Sequence, residues 1–128
     1  MSYEKLNEKV LSMQEEILEA IRGCVAIDSV KGEAQPEAPY GEGPKAALDY
    51  ALKLGEKLGF KTGNVGNRVG WAEYGEGEEM VAVLGHLDVV PLGEGWTYPP
   101  LPGRFTTGRC TAAAWLMTRE PPSAPFMP

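Results

Sequence analysis

His86 is the only histidine of this 128-residue chain, and it stands two residues before Asp88 in the run Gly85-His86-Leu87-Asp88-Val89-Val90-Pro91. That pair could do metal chemistry. A neutral imidazole ligates zinc through one ring nitrogen, while a carboxylate beside it takes the proton on the other, fixing the tautomer and raising the basicity of the ring. From spacing alone, a His-x-Asp pair is more often a surface turn or a satisfied hydrogen bond than half of a metal site, and both readings stay open at this point.

The elements around the pair follow from apolar spacing. Met80 to Leu84 is a short apolar run between Glu79 and Gly85, which predicts a buried strand of an α/β sheet. Gly85 frees the backbone to turn, so His86 falls at the carboxyl end of that strand, where open α/β sheets place their ligands. Upstream, Leu6, Val10, Met13, Ile17, Ile21 and Val25 recur at helical spacing and predict one amphipathic helix over residues 3–27. Residues 28–43 are rich in Gly, Pro and acid and read as a loop. Its Gly41-Glu42-Gly43 lacks both the preceding strand and the third glycine of a dinucleotide fingerprint.

A second helix is expected over residues 44–58, with Pro44 in its first turn and Gly59 at its stop. Residues 60–63 and 68–74 read as short strands, and Gly75 to Glu78 as a turn joining the latter to the Met80 strand in a hairpin. The fold class is therefore α/β: two N-terminal helices, then a small sheet.

Charge limits the partners. Residues 1–102 carry 9 basic and 17 acidic side chains, whereas residues 103–128 carry 3 basic and 1 acidic. The acidic part has no excess of cations to neutralise phosphates, so neither nucleic acid nor an anionic membrane is expected as a partner. No run of 18 or more apolar residues suggests a membrane span, and acidic residues interrupt the start where a signal peptide would need an apolar core. A cytoplasmic location is the expectation. Cys24 and Cys110 have no metal-site spacing and read as buried or idle thiols.

The string Gly85-His86-Leu87-Asp88-Val89-Val90-Pro91, with Gly93-Glu94-Gly95-Trp96 and Pro99-Pro100 after it, resembles the first metal motif of a zinc metallopeptidase family. That family includes acetylornithine deacetylase, succinyl-diaminopimelate desuccinylase, aminoacylase and carboxypeptidase G, and the chain is most similar to the dipeptidase V type. The segments Ala26 to Val30, Pro39 to Gly43, Gly59-Phe60 and Asn67 to Trp71 resemble that branch in the same order, so the likeness covers roughly residues 1–100. It implies that His86 is a zinc ligand and that Asp88, the candidate catalytic residue, orients it. It also implies the first part of a zinc-exopeptidase catalytic domain, three-layered α/β/α when complete, in which two zinc ions and a glutamate general base activate water against a dipeptide or acyl amino acid amide bond. The loop over residues 28–43 would lie near the mouth of the active site.

After Pro100 the resemblance stops. The family's second motif runs roughly His-Asp-Gly-x-x-Tyr-Gly-Arg-Gly-x-x-Asp-Asp-Lys-Gly, and residues 103–128 contain neither histidine nor aspartate. The genetic code offers an account. If each codon is re-read from the last base of its predecessor and its own first two, Thr106, Thr107 and Gly108 can encode His-Asp-Gly. Thr111 to Ala114 can encode Tyr-Gly-Arg-Gly, Met117 can encode Asp, Thr118 must encode Asp, and Glu120 can encode Gly. Each shifted codon allows only a few amino acids, so the match in order and spacing argues for a reading frame that slipped near Pro102 or Gly103. Residues 1–102 would then be the N-terminal part of the catalytic domain, and residues 103–128 an out-of-frame, disordered tail.

With His86 and Asp88 alone, the chain offers one ligand and its orienting partner, short of the three protein ligands of a catalytic zinc site. The expectation is a truncated dipeptidase, inactive by itself, binding zinc weakly at best, with unpaired sheet edges and a tendency to aggregate. Two alternatives remain: a fragment of a related deacylase, and a small non-enzymatic α/β module that binds a partner through its first helix, a strand edge or the Pro-rich tail.

Overall fold

A computed structural model describes residues 2–102, 104–106 and 109–111. Three helices precede a two-stranded antiparallel sheet: α1 (Tyr3–Ser12), α2 (Gln14–Val25), α3 (Glu42–Lys57), β1 (Lys61–Val65) and β2 (Val69–Glu73). This is the small α/β arrangement expected, with one helix more.

The extra helix comes from a break at Met13. Apolar spacing runs on through that residue, but Met13 takes φ −99° and ψ 6°, and its N–H donates to the Val10 carbonyl, 3.1 Å. The Ser12 hydroxyl donates back to the Lys9 carbonyl at 2.7 Å, a bond that bends helices where it occurs. The single helix expected over residues 3–27 is thus two.

α3 ends in a Schellman motif. Gly59 has φ +87°, its N–H donates to the Glu56 carbonyl, and the Phe60 N–H donates to the Gly55 carbonyl, each at 3.0 Å. The chain turns into β1, which pairs with β2 in the register Lys61↔Glu73 to Val65↔Val69. Gly66 and Asn67 both have positive φ, 57° and 53°, as the two central residues of a type I′ turn require. The Trp71 ring lies across Gly63 on the partner strand, where no side chain competes for the space.

The sheet packs on α3 through small residues. A Cβ built on Gly70 would lie 2.7 Å from Leu48 Cδ1, and one on Gly55 would lie 3.1 Å from Thr62 Cγ2. On the other side of α3, the Tyr50 ring rests on Gly23 of α2 and its hydroxyl donates to the Ala20 carbonyl at 2.9 Å. Burial there pushes the Tyr50 phenol above its ordinary pKa. The core is small: the buried apolar side chains among the described residues are Val25, Ala38, Ala47 and Val89.

The strand expected at residues 80–84 does not form. The hairpin joins β1 to β2 instead, and residues 80–84 run on without a ladder partner. Met80, Val81, Val83 and Leu84 are 84–96% exposed. An apolar run favours a strand only when a neighbour offers hydrogen bonds and a face to bury against, and among the described residues none does. Further on, β3 (Arg104–Thr106) and β4 (Arg109–Thr111) pair antiparallel in a separate two-stranded sheet. The rest of the expected disordered tail, residues 103, 107–108 and 112–128, lies outside the described residues.

Candidate functional site

Ser29 positions the segment that carries the His-x-Asp pair. It is a buried polar residue, its hydroxyl donates to the Leu87 carbonyl at 2.7 Å, and its carbonyl accepts from the Val89 N–H at 3.3 Å. Val30 and Val89 then form an isolated parallel bridge, and the Val89 side chain is buried beneath it. A chain separation of 58 residues is closed by these contacts. Two stretches singled out in the sequence, Ala26 to Val30 and Gly85 to Pro91, therefore meet in space.

His86 and Asp88 lie on either side of the Leu87 anchor. The His86 Nδ1 is 3.0 Å from the Asp88 carbonyl oxygen and 3.3 Å from its Oδ1. With the proton on Nδ1 the ring donates into this pair of oxygens, which leaves Nε2 outside the contact with its lone pair available. A metal-ligating histidine is held in this way, by a carbonyl or a carboxylate on the far ring nitrogen. Both side chains are nearly two-thirds exposed, so the pair contributes little to stability and is accessible from solvent.

The arrangement fits one ligand and its orienting partner. It is not a complete donor set: among the described residues no group of three or more His, Cys, Asp or Glu is placed to hold a metal ion. Burial pushes the Cys24 thiol above its ordinary range, away from the reactive thiolate. The Cys110 side chain lies outside the described residues.

The pair opens onto a cleft of about 450 Å³, within the range of small-molecule sites. One wall is the segment Val83 to Asp88, and the other is built from Tyr40, the start of α3 and the Asn67–Gly70 turn. Asn67 ties that second wall together. Its side chain donates to the Glu37 carbonyl at 2.6 Å, and its N–H donates to the Asn64 Oδ1 at 2.9 Å. Close approach of backbone does the rest: Gly43 lies against the Asp28 carbonyl, and Gly41, with φ +95°, against Gly32. Beyond the pair, the Trp96 indole donates to the Leu92 carbonyl at 2.6 Å and closes the Gly93-Glu94-Gly95 loop, whose two glycines have positive φ.

The structure places His86 and Asp88, the residues singled out in the sequence, side by side on the cleft wall; Ser29 and Asn67 lie in stretches singled out by resemblance but were given no role of their own, and Lys31 and Arg68, which also line the cleft, were given none. A signal existed for Asn67 alone, because Gly-Asn is a hairpin-turn dipeptide.

No family model matches the chain. Curated relatives do. A protein of Staphylococcus epidermidis (strain ATCC 12228 / FDA PCI 1200) named "Putative dipeptidase" is 36% identical over 121 residues, 93% of this chain and 26% of its own length. "Putative dipeptidase YtjP" of Bacillus subtilis (strain 168) is 38% identical over 120 residues, 92% of this chain and again 26% of its own length. The likeness is to dipeptidases. The chain spans about a quarter of the length of these relatives. With 93% of 128 residues covered, only about nine fall outside the matched stretch, so the dipeptidase likeness runs past residue 103. No helix among the described residues is long and apolar enough to cross a membrane.

Proposed function

We propose that this chain is part of a zinc-dependent metallopeptidase of dipeptidase type, with His86 as one metal ligand and Asp88 as the residue that orients it, and that it is inactive by itself. The observation that carries the proposal is the His86 geometry, Nδ1 turned into Asp88 with Nε2 outside that contact, on the wall of a cleft of about 450 Å³, in a chain similar over most of its length to proteins named for dipeptidase activity. A bound zinc would lower the pKa of a water molecule and polarise the amide carbonyl. The chain's own residues would do the rest of what is assigned here: Ser29 fixes the height of the ligand loop, Asp88 holds the imidazole tautomer, and Asn67 sets the opposite wall. One ligand with its partner does not make a catalytic zinc site, so the remaining ligands and the general base must come from elsewhere in the complete enzyme.

The missing second motif is assigned to a frame slip near Pro102 or Gly103. The shifted codons supply its residues in order, whereas the matched stretch that runs past residue 103 stands against a clean break there. The nucleotide sequence from the codon of Trp96 to well beyond that of Pro128 decides between them. The expected result is an alternative frame that continues through Asp-Asp for several hundred codons, and a frame-restored protein that hydrolyses dipeptides with zinc while the 128-residue chain does not. An alternative frame that soon stops sinks the slip, and dipeptide hydrolysis by the 128-residue chain sinks the inactive half-site.

A further inference from the structure

Residues 80–84 read almost the same in both directions. Met80-Val81-Ala82-Val83-Leu84 has a large apolar residue at each end, a valine inside each, and Ala82 at the centre. In a strand, Met80, Ala82 and Leu84 point to one face and Val81 and Val83 to the other, so both faces are apolar. Nothing covers them. Met80 is 84% exposed, Val81, Val83 and Leu84 are each 96% exposed, and the run has no ladder partner among the described residues.

A sequence of that symmetry is complementary to itself about a two-fold axis. Antiparallel pairing of two copies sets Ala82 opposite Ala82, Val81 opposite Val83 and Met80 opposite Leu84, apolar cross-strand pairs of the kind that stabilise sheets. The flanking charges select the same direction. Glu76, Glu78 and Glu79 precede the run, and no acid follows it before Asp88. Parallel in-register pairing would stand each glutamate beside its own counterpart, like charge against like. The antiparallel register instead sends Glu79 to Gly85 and Glu78 to His86 of the second copy. The ladder ends there, because Leu87 and Val89 are already tied to Ser29, so Glu76 is not drawn in opposite Asp88. Pairing also stops at two copies. Val83 and Leu84 face the cleft on one side, with Tyr40 and the Asn67–Gly70 turn across it, which leaves the opposite side open.

We propose that residues 80–84 form the interface of an antiparallel two-fold dimer of this chain, with its axis at Ala82. The assignment is independent of the chemistry read at His86. A ladder this short buries less than the roughly 1,200 Å² of a standard stable interface, so the dimer should be weak, with a Kd on the order of 10 µM. Sedimentation equilibrium of the 128-residue chain over a concentration series reads it.

Two double variants separate this register from unspecific apolar association. Val81→Lys with Val83→Lys sets lysine opposite lysine at two places in the dimer and should weaken it about 100-fold. Val81→Lys with Val83→Glu sets lysine opposite glutamate at both places and should stay within about tenfold of the parent. Both lose the same two valines. The first variant also lowers the magnitude of the net charge of −6, which the second leaves unchanged, so overall charge repulsion predicts the reverse order. On the axis itself, Ala82→Cys brings two thiols within the range of a cross-strand disulfide. In a Cys24→Ser, Cys110→Ser background it should cross-link two copies in a glutathione buffer faster than Val81→Cys, whose thiol stands opposite Val83. A parent chain that stays monomeric, association that runs on past the dimer, equal behaviour of the two charged variants, or equal cross-linking at positions 81 and 82 overturns the assignment.

Discussion

Residues 87–89 hydrogen-bond to Ser29 across 58 positions of sequence, whereas residues 80–84, immediately before them, make no ladder and expose nearly all of their apolar surface. The loop that carries His86 is held and the strand expected to lead into it is not. The usual expectation for an α/β site is the reverse: a buried strand fixes the loop at its carboxyl end. Here one serine and one main-chain bridge hold the loop in place of a sheet. What places His86 is therefore the 26–31 segment and the start of α3 that packs on it.

The most severe way to break this arrangement is to push α3 away from that segment. Gly43 lies so close to the Asp28 carbonyl that a Cβ has no room, and the next neighbours of that Cβ would be the Asp28 carbonyl carbon at 3.0 Å and Ser29 Cα at 3.3 Å. Backbone cannot rotate aside as a side chain does. Gly43→Ala should cost about 3 kcal/mol, at the upper end for overpacking, read as a fall in the urea midpoint. A midpoint unchanged within error would mean that the two segments are not held together and that the Ser29 anchor is not what positions His86.

A milder cut removes the anchor without moving backbone. Ser29→Ala deletes the 2.7 Å bond to the Leu87 carbonyl and leaves that acceptor unpaired beside a buried site. The expected loss is about 1 kcal/mol. It should appear locally, as faster hydrogen exchange at the Val89 amide, which donates to the Ser29 carbonyl, with little change in the β1–β2 amides. Uniform acceleration over both regions would show that the serine stabilises the whole fold and does not specifically hold the loop.

The same contrast explains what the sequence made legible. α3 was readable to within two residues because Pro44, Gly59 and the apolar spacing between them are local signals, each with its own backbone cause. The break at Met13 was not, since the apolar stripe continues across it and the bend comes from Ser12 bonding back to Lys9. The hairpin sits one strand earlier than expected: its turn is at Gly66-Asn67, whereas the expectation rested on the glycines at 75 and 77. The proximity of His86 and Asp88 was legible because the two residues stand two apart in one turn, where their side chains can meet without help from the rest of the fold. The Ser29 contact was not, because it exists only once segments 58 residues apart are brought together.

The exposed run at residues 80–84 gives the smallest expected effect on stability and the sharpest test of the contrast. Val81 and Val83 are each 96% exposed, so exchanging them for lysine removes almost no buried surface. The double variant Val81→Lys with Val83→Lys should change folding stability by less than about 0.5 kcal/mol, as surface substitutions do. An apolar, unpaired, uncharged stretch is nonetheless a template for strand addition by another copy. The variant should therefore stay monodisperse in light scattering at concentrations where the parent chain associates. A loss of more than about 1 kcal/mol would instead mean that residues 80–84 pack against the rest of the chain in solution, and that the strand contributes to holding His86 after all. Unchanged stability with restored solubility would leave the His86 loop resting on the 26–31 segment and mark residues 80–84 as an edge open to strand addition.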